Sequence, residues 1–223
     1  MKRVLAKSRK SGFTLVELIV VIAIIAVLAA ILVPALLNYT TSSHVTSADS
    51  TAASFKGIVE RFLTECDAKG YGMKQASAAA STITVTVTNS TWTVSVNDTS
   101  SFKDGDVTKW SAAGTAMTDA DTMSSQMSNA QNVLALHMLN EFPELETAYI
   151  WMAVHKGTVE ALYFSPDGVS QSMLETTYSN GVLSSTTDVD WKQGLCVWDN
   201  NNAGVTTSGH VIGTAPKLTL GTP

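Results

Sequence analysis

Charge is scarce in this chain: Asp, Glu, Lys and Arg make up only 15% of its 223 residues. No basic stripe is interleaved with aromatics, which argues against direct nucleic-acid binding. Cysteine occurs only as Cys66 and Cys196. The four histidines, His44, His137, His155 and His210, are dispersed, with no H-x-x-x-H or Cys/His cluster to hold zinc. His137, on an apolar helical pattern, reads as a core or boundary residue rather than a ligand. There is no Gly-rich phosphate loop, and neither cysteine has a histidine partner in the sequence. An enzyme is therefore the least supported class.

What the chain does have is one long apolar run, Phe13 to Leu37, whose only charge is Glu17. A carboxylate in a membrane-length segment costs about 2.5–3.5 kcal/mol on insertion scales, so it calls for a partner or a purpose. Five of the 14 basic residues (Lys2, Arg3, Lys7, Arg9, Lys10) precede Gly12, which keeps the leader cytoplasmic and sends the bulk outside. Phe13 to Val33 makes about 31 Å of helix at 1.5 Å per residue, close to the hydrocarbon thickness of a bilayer. Pro34 falls near the membrane boundary, where a proline inside a helix should kink it or allow local melting. A removed secretory signal is a competing reading, with Ala29-Ala30 and Ala35 as cleavage-like small residues. A plain single-span anchor is another, and Glu17 argues against it.

The stretch Lys10-Ser11-Gly12-Phe13-Thr14-Leu15-Val16-Glu17, with the apolar run and Pro34, resembles the N-terminus of a type IV prepilin. The resemblance covers roughly the first 65 residues. It implies that a prepilin peptidase cuts after Gly12, that Phe13 becomes the N-methylated terminus, and that Glu17 takes part in assembly. Once cut, Phe13 carries a free amine one helical turn from Glu17. In a poorly solvated core, pairing one subunit's amine with a neighbour's Glu17 would select the register of docking. A glutamate snorkelling to the interface is the alternative role.

Beyond Pro34 the pattern becomes amphipathic. Val45, Ala48, Ala52, Phe55, Val59, Phe62 and Cys66 alternate spacings of three and four, one stripe of a helix that would end at Lys69-Gly70. The sequence therefore divides into a leader (1–12), a membrane or filament-core helix (13–37), an amphipathic continuation (38–70) and an extracellular head (71–223). In the head, Ile83, Val85 and Val87, then Trp92, Val94 and Val96, flank Asn89-Ser90 as a β-hairpin. A helix is expected over Asp119 to Asn140, with Met123, Met127, Ala130, Leu134, His137 and Met138 on one side and Pro143 after it. Strands are expected at Ala148–His155 and Thr158–Phe164, joined by Lys156-Gly157 and closed by Ser165-Pro166-Asp167-Gly168. Weaker strand patterns cover Leu195–Trp198, Val205–Ile212 and Lys217–Leu220. The fold class is α+β: a long N-terminal helix packed on an antiparallel β-sheet head, type IV pilin-like.

Without the leader the chain keeps 9 basic and 19 acidic residues, a net charge of −10. Cys66 and Cys196 are either a disulfide across a long loop or, since Cys66 continues the apolar stripe, free buried thiols. Asp188, Asp190, Asp199 and Asn201, with Asn200, Asn202 and Gly204, offer hard oxygen ligands as calcium candidates. Ala203 breaks an EF-hand spacing there, and an ordinary polar turn is the alternative. No other cofactor is implied. Lys103-Asp104-Gly105-Asp106 reads as a turn. Most of the five tryptophans are expected in the core.

The expected function is a structural subunit of a type IV pilus-like filament. Its precursor would sit in the cell membrane and its assembled form would be extracellular. The partners implied are identical subunits, the prepilin peptidase, a membrane assembly platform with its ATPase, and membrane lipid before assembly. A pseudopilin of a type II secretion or competence system and a non-polymerising, membrane-anchored surface binding module are the alternatives.

Overall fold

The computed structural model describes residues 13–76, 80–168, 176–179, 182–185, 197–198 and 210–215. Helix α1, Leu15–Ala68, runs 54 residues without a break and passes through Pro34. It ends as the glycine predicts. Gly70 sits at φ +84, its N–H donates to the Asp67 carbonyl at 3.1 Å, and Tyr71 N–H donates to the Cys66 carbonyl at 2.9 Å. This double bond pattern satisfies the last carbonyls of the helix, and only a left-handed residue can make it cheaply. The chain divides into two compact units, Met1–Ser42 and Ser43–Pro223.

In the second unit, α1 contributes its apolar stripe to the core. Val45, Ala48, Ala52, Phe55, Val59, Phe62 and Cys66 are all buried, as the spacing requires, together with Ile58 and Leu63. They pack on an antiparallel five-stranded sheet whose strands, in spatial order, are Thr91–Val96, Ser81–Thr88, Thr147–His155, Thr158–Ser165 and Gly213–Thr214. Strands β1 (Ser81–Thr88) and β2 (Thr91–Val96) form the expected hairpin. Its turn puts both Asn89 (φ +49) and Ser90 (φ +60) in the left-handed region, the geometry that matches the twist of two-residue hairpins. Strands β3 (Thr147–His155) and β4 (Thr158–Ser165) form a second hairpin through Lys156 (φ +51) and Gly157 (φ +88). Alternation puts Ile83, Val85, Val87, Ile150, Met152 and Leu162 into the same core as the helix stripe. The Phe55 ring lies 4.4 Å from Phe142, 5.4 Å from Phe164 and 6.3 Å from Trp92, so one helix residue joins two strands and a loop.

Three features differ from the sequence reading. The helix expected over Asp119–Asn140 is two elements, α2 (Met123–Gln126) and α3 (Ala130–Glu141). The cause is Asn129, whose extended backbone and side-chain oxygen cap α3 by accepting from Gln131 N–H and Asn132 N–H. Nor is α3 one-sided: Gln131, Asn132, Val133, Ala135, Leu136 and Leu139 are buried as well as Ala130, Leu134 and Met138, whereas Met127 is exposed. The buried amides are paired instead of excluded. Gln131 Nε2 donates to the Trp110 and Ala112 carbonyls, and Asn132 Oδ1 accepts from Thr115 N–H at 2.9 Å.

The C-terminal pattern also shifts. Strands β5 (Thr176–Ser179) and β6 (Val182–Ser185) pair with each other, and β7 (Val197–Trp198) pairs with β8 (His210–Val211). The last strand, β9 (Gly213–Thr214), follows the expected Val205–Ile212 segment and completes the main sheet against β4. A Cβ at Gly213 would lie 2.1 Å from the Ala48 carbonyl oxygen, so this position needs glycine to lie against α1. Thr214 N–H then donates to Asp49 Oδ1 at 2.9 Å. The weak strand expected at Lys217–Leu220 lies outside the described residues.

Candidate functional site: the N-terminal helix

Phe13 and Thr14 precede the first turn of α1, and Thr14 caps it. Thr14 N–H and Thr14 Oγ1 both donate to Glu17 Oε2 at 2.8 Å, and Glu17 N–H returns a bond to Thr14 Oγ1 at 3.2 Å. This reciprocal pair is a capping box, in which a threonine and an acid three residues later satisfy each other's free donors at a helix start. The T-x-x-E spelling was legible in the sequence, but a reading that saved Glu17 for a neighbour's amine passed over it. Glu17 is thus held at the helix N-terminus, where the aligned peptide dipoles favour a negative charge.

From Leu15 to Leu37 the large apolar side chains are exposed all round the helix, with Phe13 at 84%. Among the described residues, α1 is the one helix long and apolar enough to cross a membrane. Pro34 lies within it and has no N–H to give the preceding turn. Thr40 Oγ1 donates to the Leu37 carbonyl at 2.9 Å, a side-chain bond that competes with the helix ladder just past the proline.

The remaining sequence candidates separate. Cys66 is buried and free among the described residues, and burial pushes its thiol pKa up to about 12. Cys196 lies outside the described residues, as do Gly12 and the calcium candidates Asp188, Asp190, Asp199 and Asn201. The turn expected at Lys103–Asp106 falls later, with the chain bending at Asp106 and Val107 and Gly105 N–H donating to the Thr108 carbonyl at 2.9 Å. Asp104 Oδ1 accepts from Trp110 N–H at 2.6 Å, and Asp104 Oδ2 from Ser111 Oγ at 2.7 Å. These bonds hold the Asp104 carboxyl below its ordinary pKa, the Ser111 hydroxyl most of all. His137 is half-buried with its ring 5.4 Å from Phe62, a boundary residue as expected. His155 instead meets Glu160 at 2.9 Å, a pairing that sequence reading missed. A register shift between Ala153 and Val154 brings it about by leaving Glu160 as the extra residue of β4. Trp92, Trp110 and Trp151 are buried.

Residues 7–33 match the family model of the prokaryotic N-terminal methylation motif. The N-terminal region is likewise similar to type IV fimbrial proteins. Fimbrial protein EcpC of Eikenella corrodens is 42% identical over 59 residues, 26% of this chain and 39% of that one. A fimbrial protein of Pseudomonas aeruginosa is 43% identical over 56 residues, 25% of this chain and 36% of its own length. Type IV major fimbrial protein FimA of Dichelobacter nodosus is 41% identical over 59 residues, 26% and 38% of the two chains. This chain thus spans well under half the length of the curated relatives it matches. No solved structure matches it significantly.

Proposed function

We propose that this chain is a type IV prepilin, cut after Gly12, methylated at Phe13 and polymerised as a non-catalytic structural subunit of an extracellular filament. One observation carries the reading: the matched methylation motif runs into a capped helix whose apolar side chains stay bare from Leu15 to Leu37. Such a surface is stable in lipid or among copies of itself, and burying each large apolar side chain is worth about 1.5–3 kcal/mol. The membrane holds the precursor, and the filament core replaces the membrane after extraction. A peptidase, an assembly platform and an ATPase supply cleavage and work.

Glu17 has a defined part in this scheme. Both Thr14 bonds fall on Oε2, which leaves Oε1 to accept the amine of a neighbour's Phe13. The carboxylate then caps its own helix and sets the neighbour's register together. The test is to shear cells and determine the N-terminus of this protein by mass spectrometry. A chain beginning at N-methylated Phe13 in the sheared fraction is expected. An intact Met1 confined to the membrane sinks the proposal in favour of an anchored binding module that does not polymerise.

A further inference from the structure

The bond that the proposed peptidase cuts joins Gly12 to Phe13, and α1 begins just beyond it, at Leu15. Phe13 and Thr14 lie ahead of the helix, both exposed. Composition alone does not dictate that start. Ser11 and Gly12 are themselves N-cap residue types, so the chain carries two earlier places at which a helix could begin. Lipid pushes in the same direction, because a peptide group there is stable only with its N–H and C=O bonded internally. A helix begun at Ser11 or Gly12 would take in Phe13 and put the bond to be cut into its first turn.

Thr14 holds the start where it is by spending its own donor. A helix capped by Ser11 would turn the Thr14 N–H toward the Ser11 hydroxyl, and one begun a residue earlier would give it to the Lys10 carbonyl. That N–H instead donates to Glu17 Oε2 at 2.8 Å, and Thr14 Oγ1 donates to the same oxygen. Glu17 N–H returns a bond to Thr14 Oγ1 at 3.2 Å, and Leu18 N–H donates to the Thr14 carbonyl at 3.3 Å as the first bond of the ladder. The carbonyl of Thr14 therefore belongs to the helix while its N–H does not. The matched methylation motif, residues 7–33, spans both this box and the bond to be cut.

We infer that Thr14 is a positioning residue for the cleavage: it keeps Phe13 out of α1, so that the peptidase meets extended backbone beyond the Gly12–Phe13 bond. This role rests on the prepilin reading above. Extended peptides are recognised largely through their main-chain hydrogen bonds, which a residue inside a helix has already spent. A helical site has to unwind locally before it can bind, and apparent affinity falls with the fraction that is unwound. In the cut itself water adds across the Gly12–Phe13 bond, leaving a carboxylate on Gly12 and a free amine on Phe13. Thr14 takes no part in that transfer and acts before it, on the shape of the substrate.

The test is cleavage of the full-length precursor in detergent micelles by the cell's own prepilin peptidase, with Thr14 varied. Thr14→Val keeps the shape of the side chain and loses the hydroxyl. It should raise KM about fivefold or more with kcat unchanged, because binding then selects a rarer conformer and the chemistry is untouched. Thr14→Ser keeps the cap and should restore the wild-type KM. Hydrogen exchange on the uncut precursor reads the helix start directly. The Leu15 and Val16 amides have no ladder partner when Thr14 is the cap, and should gain protection in Thr14→Val as they bond the Ser11 and Gly12 carbonyls. An unchanged KM in Thr14→Val, a fall in kcat alone, a failure of Thr14→Ser to restore KM, or a raised KM with unchanged protection each overturns the positioning role. Wild-type precursor that the peptidase leaves uncut overturns the prepilin reading itself, and the role of Thr14 with it.

Discussion

His137 shows how one side chain joins packing to pH. It lies half-buried on α3 against the Phe62 ring of α1, with Glu65 and Glu141 raising its pKa and Arg61 and Lys69 lowering it. Burial is the largest influence and holds its pKa below the ordinary 6.5. The unfolded chain therefore binds this proton more readily than the folded one, so stability rises with pH across the interval. The contribution is unimpaired above pH 6.5 and is lost as pH falls toward the lowered folded value. Urea unfolding of the full chain in detergent at a series of pH values should show a midpoint that declines below that point. His137→Gln should flatten this part of the profile. A decline of unchanged size in the variant would place the titrating group elsewhere.

At the scale of elements, what was legible in the sequence depended on how one-sided each element is. The α1 stripe and both hairpins were readable because each has one buried face, so the period of three and four or of two shows in the residues. The α3 region was not. Buried on nearly all sides, it has no polar face to mark a period, and its buried amides Gln131 and Asn132 look like surface residues until the 110–115 loop supplies their partners. β9 was illegible for another reason: two residues carry no pattern, and its place is set by the close approach of Gly213 to Ala48. The break before α3 makes a prediction. Asn129 caps two N–H groups and donates Nδ2 to the Ala113 carbonyl at 2.8 Å. Asn129→Ala should cost about 1–2 kcal/mol, the upper part of the range for a lost cap. Asp in its place keeps the cap but loses the bond to Ala113 and turns an acceptor oxygen toward that carbonyl. Thermal melts should rank the wild type above Asp and Asp above Ala; equal melts for all three would mean that the break is set by the 110–115 loop alone.

For the whole molecule, the decisive contrast is between two parts of one helix that are apolar for different purposes. Up to Leu37 α1 exposes almost every large side chain, whereas from Val45 to Cys66 it exposes none of its stripe. The first part needs an apolar environment from outside the chain, and the second finds one in its own head. The division between compact units falls between them, at Ser42–Ser43. Removing residues 1–42 should therefore take away the need for detergent without taking away the fold. The truncated chain keeps every stripe residue from Val45 onward, the five-stranded sheet and the Asp49 bond to Thr214. It should run as a soluble species on size exclusion and keep the near-ultraviolet signal of its buried tryptophans. It should also unfold in one cooperative transition, as a single core predicts. Aggregation of the truncated chain, or loss of the tryptophan signal, would mean that the unit from Ser43 onward does not hold its fold without residues 1–42. Since a helix from Ser43 begins without its natural preceding turn, Ser43→Asp, a stronger cap favoured by the helix dipole, separates end fraying from loss of the core.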